Sequence, residues 1–451
     1  MYTLSFTKGL SPKRTQDVIF KSLPPRLKWT SQQKASFIQN LNSENIKNEL
    51  LDVLSKGTPG DCISQLSGAI LKCADVKMDP KVKKHKKPIN NKPWFDEECK
   101  AIKKELIVLS KKLRGNKNDP SLRETLYTTK RRFGNTIKKK KTAYKRSIIE
   151  QMHLEKKKDV KTFWRLLGKL ELDTPRKNSA SAVSTKEWVD HFTSLLQGSP
   201  TEEPLFPQNP SETGPLDYEI SMEELMESAP ILKPGKAVGI DAISNEMIRV
   251  ILTYRPEVLL HTFNIILKTG GDLDKWSLSL LVPIHKKGPE DDPNNYRGVA
   301  LMSCLAKFFY SILNKRLLGF CKTNNVLSPS QLGFVPGNRT SDAQIILYNL
   351  IDHYCHKRDS KLYSCFVDFS KAFDNLPREL LFEKLKNIGI TGKFYDILKT
   401  IYQDDKVCIR IDDEISPSIQ SLKGVKQGCV LSPTLYNNSC QTSHVLYLTY
   451  M

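Results

Sequence analysis

Between residues 94 and 170 the apolar positions recur at helical spacing. The apolar residues from Ile102 to Leu113 are separated by four, three and four positions, which places them on one face of a helix. Gly115-Asn116 ends that helix, and Asp119-Pro120 supplies an N-cap and a first-turn proline for the next one. From Leu122 to Ile148 the apolar series continues at spacings of four and seven. The pattern predicts an antiparallel helical hairpin with a narrow apolar seam.

The rest of the chain divides into segments that differ in hydrophobic pattern and composition. Residues 1–80 are weakly patterned, and only the runs 43–51 and 63–71 have the periodicity of short amphipathic helices. Residues 171–216 are predicted to be linkers, rich in serine and proline, around one short helix at Trp188–Leu196. From residue 217 to 437 helices, short strands and glycine or proline turns alternate, and residues 438–451 form a divergent tail. We therefore expect a mixed α/β (α+β) domain at 217–437, preceded by a basic helical region at 81–170.

A capping box and a strand hairpin are predicted within the mixed domain. Ser221 and Glu224 have the spacing of a capping box that opens a helix. Leu281–Gly288 reads as a strand that ends in two lysines, and Tyr296–Leu301 reads as the returning strand. The two arms of this hairpin would present Lys286 and Arg297 together, and paired cations of this kind suit a triphosphate.

Asp368 closes the apolar, β-rich run Leu362–Val367, which is typical of a buried strand. A carboxylate at the exposed end of a core strand is well placed to hold a divalent cation against a phosphate. The alternative from this segment alone is an aspartate that caps the following helix. Further on, residues 424–433 predict a glycine-rich loop that opens a helix with Ser432 and Pro433.

The charge of the chain is concentrated in one region. The formal net charge is +21, and residues 81–170 contain 29 basic and 9 acidic residues. A block of this density predicts a polyanionic partner, nucleic acid first and a membrane surface second, whereas a merely solvated helix face is the simpler alternative. Few acids stand near the basic runs, which favours the first reading. The candidate nucleic-acid-binding residues are Arg131, Arg132, Lys138, Lys139, Lys140, Lys141, Lys145 and Arg146.

Cysteine usage and hydropathy limit the compartment. The 10 cysteines include no C-x-x-C pair, as expected for reduced thiols rather than a disulfide framework or a zinc ribbon. No stretch approaches the roughly 18–20 apolar residues that a membrane span requires, and the N-terminus lacks the apolar core of a secretory signal. We expect an intracellular protein, nuclear or cytoplasmic, that does not interact with membranes.

Five sequence blocks stand in the order found in one protein family, and over about Met222–Tyr436 the chain resembles the reverse transcriptases of non-LTR (LINE-type) retrotransposons. One block alone would be moderate support, but five in order are specific. The basic region with Trp94–Cys99 is similar, more loosely, to the segment that precedes the polymerase in this family. The blocks are Leu232–Asp241, the lysine/arginine hairpin continuing to Leu317, Leu327–Thr340, Cys365–Asp374 and Gly424–Pro433.

The resemblance implies incomplete right-hand fingers and palm and an RNA-directed DNA polymerase activity, in which Mg²⁺-dependent nucleotidyl transfer extends a primer 3′ end. It implies an RNA template, a DNA primer and deoxynucleoside triphosphates as partners; it leaves the oligomeric state open. By matching position, Asp368 would bind both Mg²⁺ ions with help from the Phe369 carbonyl, and Phe373 would reject a ribose 2′-hydroxyl. Arg297 and Lys286 would hold the triphosphate. Gln427 and Gly428 would line the nucleotide and template site.

The family pattern breaks downstream of the glycine-rich loop. The family's other metal-binding carboxylates lie there in a Y/F-x-D-D hairpin, whereas residues 438–451 contain no acid. Tyr402–Asp405 spells Y-x-D-D but precedes the loop, where the family has a helix-to-hairpin turn, so we expect no metal role for it. We expect a truncated polymerase that is inactive alone. The alternatives are a non-catalytic nucleic-acid-binding remnant that acts through the basic region, and a polymerase that borrows carboxylates from a partner chain.

Overall fold

A computed structural model describes the protein at residues 21–22, 29–75, 92–116, 119–155, 160–170, 180, 183–197, 213–271, 273–356, 361–412 and 414–440. The chain divides into two compact units, one formed by Val82–Asn178 and the other by Met1–Lys81 with Ser179–Met451. Most of the predicted linker sequence and the tail from residue 441 lie outside the described residues.

The N-terminal segment begins with a two-residue strand, β1 (Lys21–Ser22), and three helices, α1 (Ser31–Leu41), α2 (Glu44–Ser55) and α3 (Pro59–Cys73). The two amphipathic helices predicted here are confirmed as α2 and α3, and α1 was not predicted. The start of α1 is nevertheless determined by neighbouring residues, because Thr30 and Gln33 form a reciprocal capping box. Apolar side chains of all three helices are buried in the same core as the C-terminal region.

The unit of Val82–Asn178 contains α4 (Glu97–Gly115), α5 (Pro120–Glu155) and α6 (Val160–Leu170). Ion pairs join Glu105 to Arg132 and Asp96 to Lys140, so α4 and α5 run antiparallel and the predicted hairpin is confirmed. The predicted cap is also present, since Asp119 accepts a hydrogen bond from the backbone N–H of Leu122 at 3.1 Å. With 36 residues, α5 is about 54 Å long.

The larger unit continues with helices and strands in alternation, which confirms a mixed helical and sheet architecture. Its elements are α7 (Thr185–Leu196), α8 (Met222–Glu227), α9 (Asn245–Tyr254), α10 (Pro256–Thr269), α11 (Asp274–Ser277), β2 (Leu278–His285), β3 (Tyr296–Leu301), α12 (Cys304–Thr323), α13 (Thr340–Cys355), α14 (Arg378–Asn387), α15 (Gly392–Gln403), β4 (Lys406–Ile411), β5 (Glu414–Gln420) and α16 (Ser432–Cys440).

The sheet has the strand order β1-β5-β4-β2-β3. The predicted hairpin of β2 and β3 is confirmed as an antiparallel pair in which Ile284 lies opposite Arg297. β4 joins the other side of β2 in parallel and turns back into β5. Trp188 and Phe192 of α7 are buried in a small core with residues of β2, β3 and β4, so the sheet is covered by an element that precedes it in the chain.

The main core is built around α12, whose Phe308 and Phe309 are fully buried and contact Phe263 of α10. The predicted capping box at α8 is only half correct. Ser221 Oγ accepts the N–H of Glu224 at 3.2 Å, but the Glu224 carboxylate forms two 2.7 Å hydrogen bonds with buried Arg316 of α12. A buried guanidinium requires a counter-charge, and this need outweighs the local cap.

The prediction of a buried strand at Leu362–Val367 is wrong. The segment has no regular secondary structure, and the side chains of Phe366 and Val367 are 80% and 74% exposed. An extended segment gains ladder hydrogen bonds and burial only beside another strand, and none of the described strands pairs with this one.

Among the described residues, no helix combines the length and hydropathy that a transmembrane crossing demands.

Candidate functional site

The site is built where the β2–β3 hairpin meets the segment that contains Asp374. Lys286 follows β2 directly and its N–H donates to the carbonyl of Asn295 at 2.8 Å, which keeps the two arms together beyond the strands. Lys286 and Arg297 are exposed, and both act electrostatically on the carboxyl group of Asp374. The two predicted cations are therefore brought to one place.

The glycine-rich loop, residues 424–428, packs directly on the chain around Phe373 and Asp374. Gly424 N–H donates to the Leu376 carbonyl at 2.9 Å, and Val425 N–H donates to the Phe373 carbonyl at 2.8 Å. Gly424 has φ +76° and a Cβ there would lie 2.7 Å from the Asp374 carbonyl oxygen, so the approach requires glycine.

The same loop also reaches the hairpin. The Gln427 carbonyl accepts the N–H of Ala300 in β3 at 2.8 Å. Gly428 has φ +113°, and a Cβ there would lie 2.8 Å from the Ala300 carbonyl oxygen. The loop therefore joins the Asp374 segment to the arm of the hairpin that carries Arg297.

Asp374 and Gln427 are the centre of this arrangement. Gln427 Nε2 donates to both carboxylate oxygens of Asp374, at 2.8 and 2.9 Å. Burial raises the pKa of Asp374, whereas the Gln427 hydrogen bond and the charges of Lys371, Lys286 and Arg297 oppose that rise. Sequence reasoning missed Asp374; the signal was its position directly after Phe373, where a second acid ends the aspartate block.

Phe373 has a fixed aromatic environment. Its ring stacks on Tyr436 of α16 with centroids 5.0 Å apart and an interplanar angle of 11°. Phe334, from the block Leu327–Thr340, meets the Phe373 ring edge-on at 6.1 Å. Nearby, Gln331 Nε2 donates to Asn437 Oδ1 at 3.2 Å, so that block is joined to α16 by polar contacts too.

Asp368 lies on the exposed stretch before this centre. Its side chain is exposed, and Phe369 is 57% exposed. Within the described ranges, no group of three or more histidine, cysteine, aspartate or glutamate side chains is arranged to hold a metal ion. Among the described residues, Asp368 therefore belongs to no such group.

The Y-x-D-D sequence at Tyr402–Asp405 is the helix-to-hairpin turn that was predicted, since α15 ends at Gln403 and β4 begins at Lys406. Asp404 is exposed, but the Asp405 carboxylate is buried between Arg378 and Lys426 at 3.0 Å from each. Both buried cations were missed from sequence.

The first block of the resemblance packs on the start of α12. A Cβ on Gly239 would lie 2.7 Å from the backbone nitrogen of Ser303, which is the N-cap of that helix. Asp241 Oδ1 accepts the N–H of Ile243 at 3.3 Å, and burial raises the pKa of the Asp241 carboxyl group. Asp241 thus contributes to the support of the site rather than to its open face.

The basic residues of α5 include three exposed pairs, and two of its cations contact acids of α4. Three pairs of exposed cations recur every seven residues, a rise of about 10.5 Å per repeat. Lys140 instead contacts Asp96 at 2.6 Å and Glu98 at 2.8 Å, and Arg132 lies 3.5 Å from Glu105. The expectation that acids are nearly absent around these cations is therefore wrong at Lys140 and Arg132, because α4 brings Asp96, Glu98 and Glu105 across the hairpin. The pairs are Arg131-Arg132, Lys138-Lys139 and Lys145-Arg146.

Comparison with known proteins gives the class of the domain. Residues 284–444 match the family model described as Reverse transcriptase (RNA-dependent DNA polymerase). The matched range contains the hairpin cations, the aspartate block and the glycine-rich loop.

Particular relatives come from non-LTR retrotransposons. The chain is 29% identical over 221 residues to a probable RNA-directed DNA polymerase from transposon BS of Drosophila melanogaster, covering 48% of this chain and 24% of the relative. It is 28% identical over 222 residues to the RNA-directed DNA polymerase from mobile element jockey of Drosophila funebris. This match covers 48% of this chain and 24% of the relative. The resemblance inferred from the five blocks is confirmed. The matched part spans about a quarter of the length of these relatives.

Proposed function

We propose that residues 217–437 act as the fingers and palm of an RNA-directed DNA polymerase that binds an RNA template, a DNA primer and deoxynucleoside triphosphates. The observation that carries this proposal is the contact of Gln427 with Asp374, beside Lys286 and Arg297. This contact brings three separate sequence blocks together at one polar, cationic site.

Each side chain has a chemical role in this proposal. The Arg297 guanidinium contacts phosphate oxygens in a bidentate manner, and the Lys286 ammonium adds a point charge. Gln427 and Gly428 line the nucleotide and template site, where glycine lets the backbone approach a ligand closely. Phe373, held against Tyr436, is a rigid wall against a ribose 2′-hydroxyl.

The metal donors present are a partial set. Mg²⁺ binds oxygen ligands, and Asp368 with the Phe369 carbonyl would supply two of them. Two-metal nucleotidyl transfer requires additional carboxylates, and residues 429–451 contain neither aspartate nor glutamate. We therefore propose that a polypeptide of these 451 residues binds nucleotide and template but does not extend a primer on its own.

The nucleotide site is tested by binding. Titration of the protein with Mg²⁺ and a deoxynucleoside triphosphate, in the presence of primer and RNA template, should give saturable binding. Arg297→Ala should weaken it by about tenfold or more, because a charge-assisted bidentate contact contributes about 1.5–3 kcal/mol. Lys268→Ala, on the exposed side of α10, is the matched control and should bind as the wild type does. Equal losses in both variants would contradict the proposed triphosphate site.

The activity proposal is tested by primer extension on an RNA template with Mg²⁺. We expect no incorporation by the 451-residue polypeptide. Incorporation that Asp368→Asn abolishes would contradict this expectation and favour a polymerase completed by carboxylates from a partner chain.

A second candidate function is nucleic-acid binding through α5, and the repeated cation pairs favour it. Phosphate contacts from lysine and arginine give affinity that falls with salt concentration. Replacing Lys138 and Lys139 by glutamine should lower RNA affinity and reduce the slope of log affinity against log salt by about two. Lys140→Gln, at a cation already paired with two acids, is the control and should change the slope little. Equal slopes in all variants would exclude this surface.

A further inference from the structure

A buried cluster of three charged side chains lies behind the glycine-rich loop. Arg378, Asp405 and Lys426 are 2%, 1% and 6% exposed. Arg378 Nη2 lies 3.0 Å from Asp405 Oδ2, and Lys426 Nζ lies 3.0 Å from Asp405 Oδ1. The three residues come from the start of α14, the turn between α15 and β4, and the loop itself, so the cluster joins elements that are far apart in sequence.

Arg378 holds the incoming end of the loop through backbone atoms. Its Nε donates to the Gly424 carbonyl at 2.9 Å and its Nη2 to the Lys423 carbonyl at 3.3 Å. Its Nη1 donates to the carbonyls of Tyr402 and Ser421, both at 2.7 Å. The guanidinium is thus satisfied by neutral acceptors and one carboxylate.

The buried positive charge of Lys426 is not explained by a contribution to the stability of the cluster. Its ammonium and the Asp405 oxygen are close, but they lack the alignment of a hydrogen bond, and in the described part of the chain no other acceptor bonds that ammonium. Two buried cations share one carboxylate, and removing charge from water is costly. A methionine of similar length would leave a neutral Arg378–Asp405 pair.

The charge of Lys426 lies directly beside the residue that contacts Asp374. The next residue is Gln427, whose amide contacts Asp374 and whose carbonyl accepts from Ala300. Attraction of the ammonium to Asp405 draws the loop inward on one side of Gln427, while Ala300 holds the other side.

We propose that Lys426 is a positioning residue that acts through Asp405 and Arg378 to hold Gln427 in place on Asp374. The ligand-binding consequence rests on the proposed function, whereas the effect on the loop does not. Asp405 belongs to the sequence Tyr402–Asp405, which spells Y-x-D-D. In this proposal it anchors the glycine-rich loop.

The loop itself is tested by backbone amide exchange in Lys426→Met, measured by NMR. The amides of Ala300 and Val425, which bond to Gln427 and Phe373, should exchange about tenfold faster than in the wild type. The amide of Ile409, bonded to Ser416 in the sheet, should be unchanged, and the melting temperature should be equal or higher. Lys423→Met, at a partly exposed lysine beside the loop, is the control and should leave both loop amides unchanged.

Two outcomes of this exchange experiment overturn the proposal. Unchanged exchange at Ala300 and Val425 in Lys426→Met would show that the charge does not hold the loop. Faster exchange at Ile409 as well, with a lower melting temperature, would show that Lys426 only stabilises the fold. Both readings are independent of any nucleotide.

The link to the ligand is tested by a double-mutant cycle with Gln427→Ala, using binding of Mg²⁺ and a deoxynucleoside triphosphate. Lys426→Met should weaken binding about tenfold in the wild-type background and leave it nearly unchanged when Gln427 is already alanine. Additive losses would mean that Lys426 does not act through Gln427. If the wild type binds no nucleotide, the proposed function fails while the exchange experiment still decides the role of Lys426.

Discussion

At the residue scale, the pair of Asp374 and Gln427 shows how a side chain acquires a defined orientation. An ionised carboxylate only accepts hydrogen bonds, so it fixes the amide group of Gln427 with its NH₂ end toward Asp374. The pair is partly buried beside Lys371, Lys286 and Arg297, and the charges of these cations oppose the rise in the pKa of Asp374 that burial causes. Gln427 is thereby held in one orientation.

The raised pKa of Asp374 gives a prediction about pH. The folded protein holds the Asp374 proton more tightly than the unfolded chain does, so this group's contribution to stability falls as pH rises from the ordinary aspartate pKa of 3.8 through the folded pKa. Asp374→Asn should remove that part of the pH dependence. Urea unfolding of both proteins across pH 4–7 measures it, and identical slopes against pH would contradict the burial of this carboxyl group.

Glycine at position 428 is also required by its surroundings. Gly428→Ala should lower the free energy of unfolding by about 1–3 kcal/mol, because φ is +113° and the new Cβ would press on the Ala300 carbonyl. The control is Gly68→Ala in α3, where nothing lies within 4 Å of an added Cβ. That change should stabilise the protein by about 0.5–1 kcal/mol. Chemical denaturation of both variants gives the two signs, and a stabilised Gly428→Ala would refute the close approach.

At the element scale, the start of α8 shows a tertiary contact overriding a local one. Ser221 caps the helix as its sequence predicts, but Glu224 is taken by Arg316, 92 residues away. Arg316 also donates to the carbonyls of Leu216, Tyr218 and Glu219, so one buried guanidinium fixes the segment that leads into α8.

Substitutions at α8 separate the contribution of the Ser221 cap from that of the ion pair between Glu224 and Arg316. Glu224→Gln should cost about 3 kcal/mol of unfolding free energy, because it leaves buried Arg316 without its counter-charge. Ser221→Ala should cost about 1 kcal/mol, the usual value for an N-cap, and exposed Glu223→Gln should cost less. Urea denaturation gives the order, and a larger loss for Ser221→Ala than for Glu224→Gln would mean that the cap dominates.

At the scale of the whole molecule, the N-terminal helices share one continuous core with the C-terminal region. Leu66 of α3 is fully buried in the cluster that also contains residues of α10 and α12. Val82–Asn178 forms the second compact unit. Residues 29–75 are therefore a structural part of the larger unit.

This organisation predicts two calorimetric transitions. Leu66→Ala should lower the stability of the larger unit by about 2–5 kcal/mol and shift its transition as a whole. Ile102→Ala, at a buried position of α4, should shift only the transition of the helical unit. A single transition moved equally by both substitutions would contradict the division into two units.

Local order in this protein was predictable where its cause lies within a few residues. The hairpin of α4 and α5 followed from apolar periodicity and from Asp119-Pro120, and the β2–β3 hairpin from its turn. The strand at Leu362–Val367 was predicted wrongly because a strand depends on a neighbour that periodicity cannot supply. The candidate site residues Asp368, Gln427 and Arg297 were named from the order of the blocks, which a sequence alone can display.

The sequence by itself determined the helical periods, the helix caps, the concentration of positive charge and the likeness to retrotransposon polymerases, because each is written in neighbouring residues or in their order. Only the tertiary structure decided which carboxylates face which cations. Asp374 meets Gln427 from 53 residues away, and Asp405 meets Arg378 from 27. A carboxylate binds a metal, anchors a loop or orients an amide according to the charges that folding places within about 4 Å, and that distance is set by packing rather than by sequence separation.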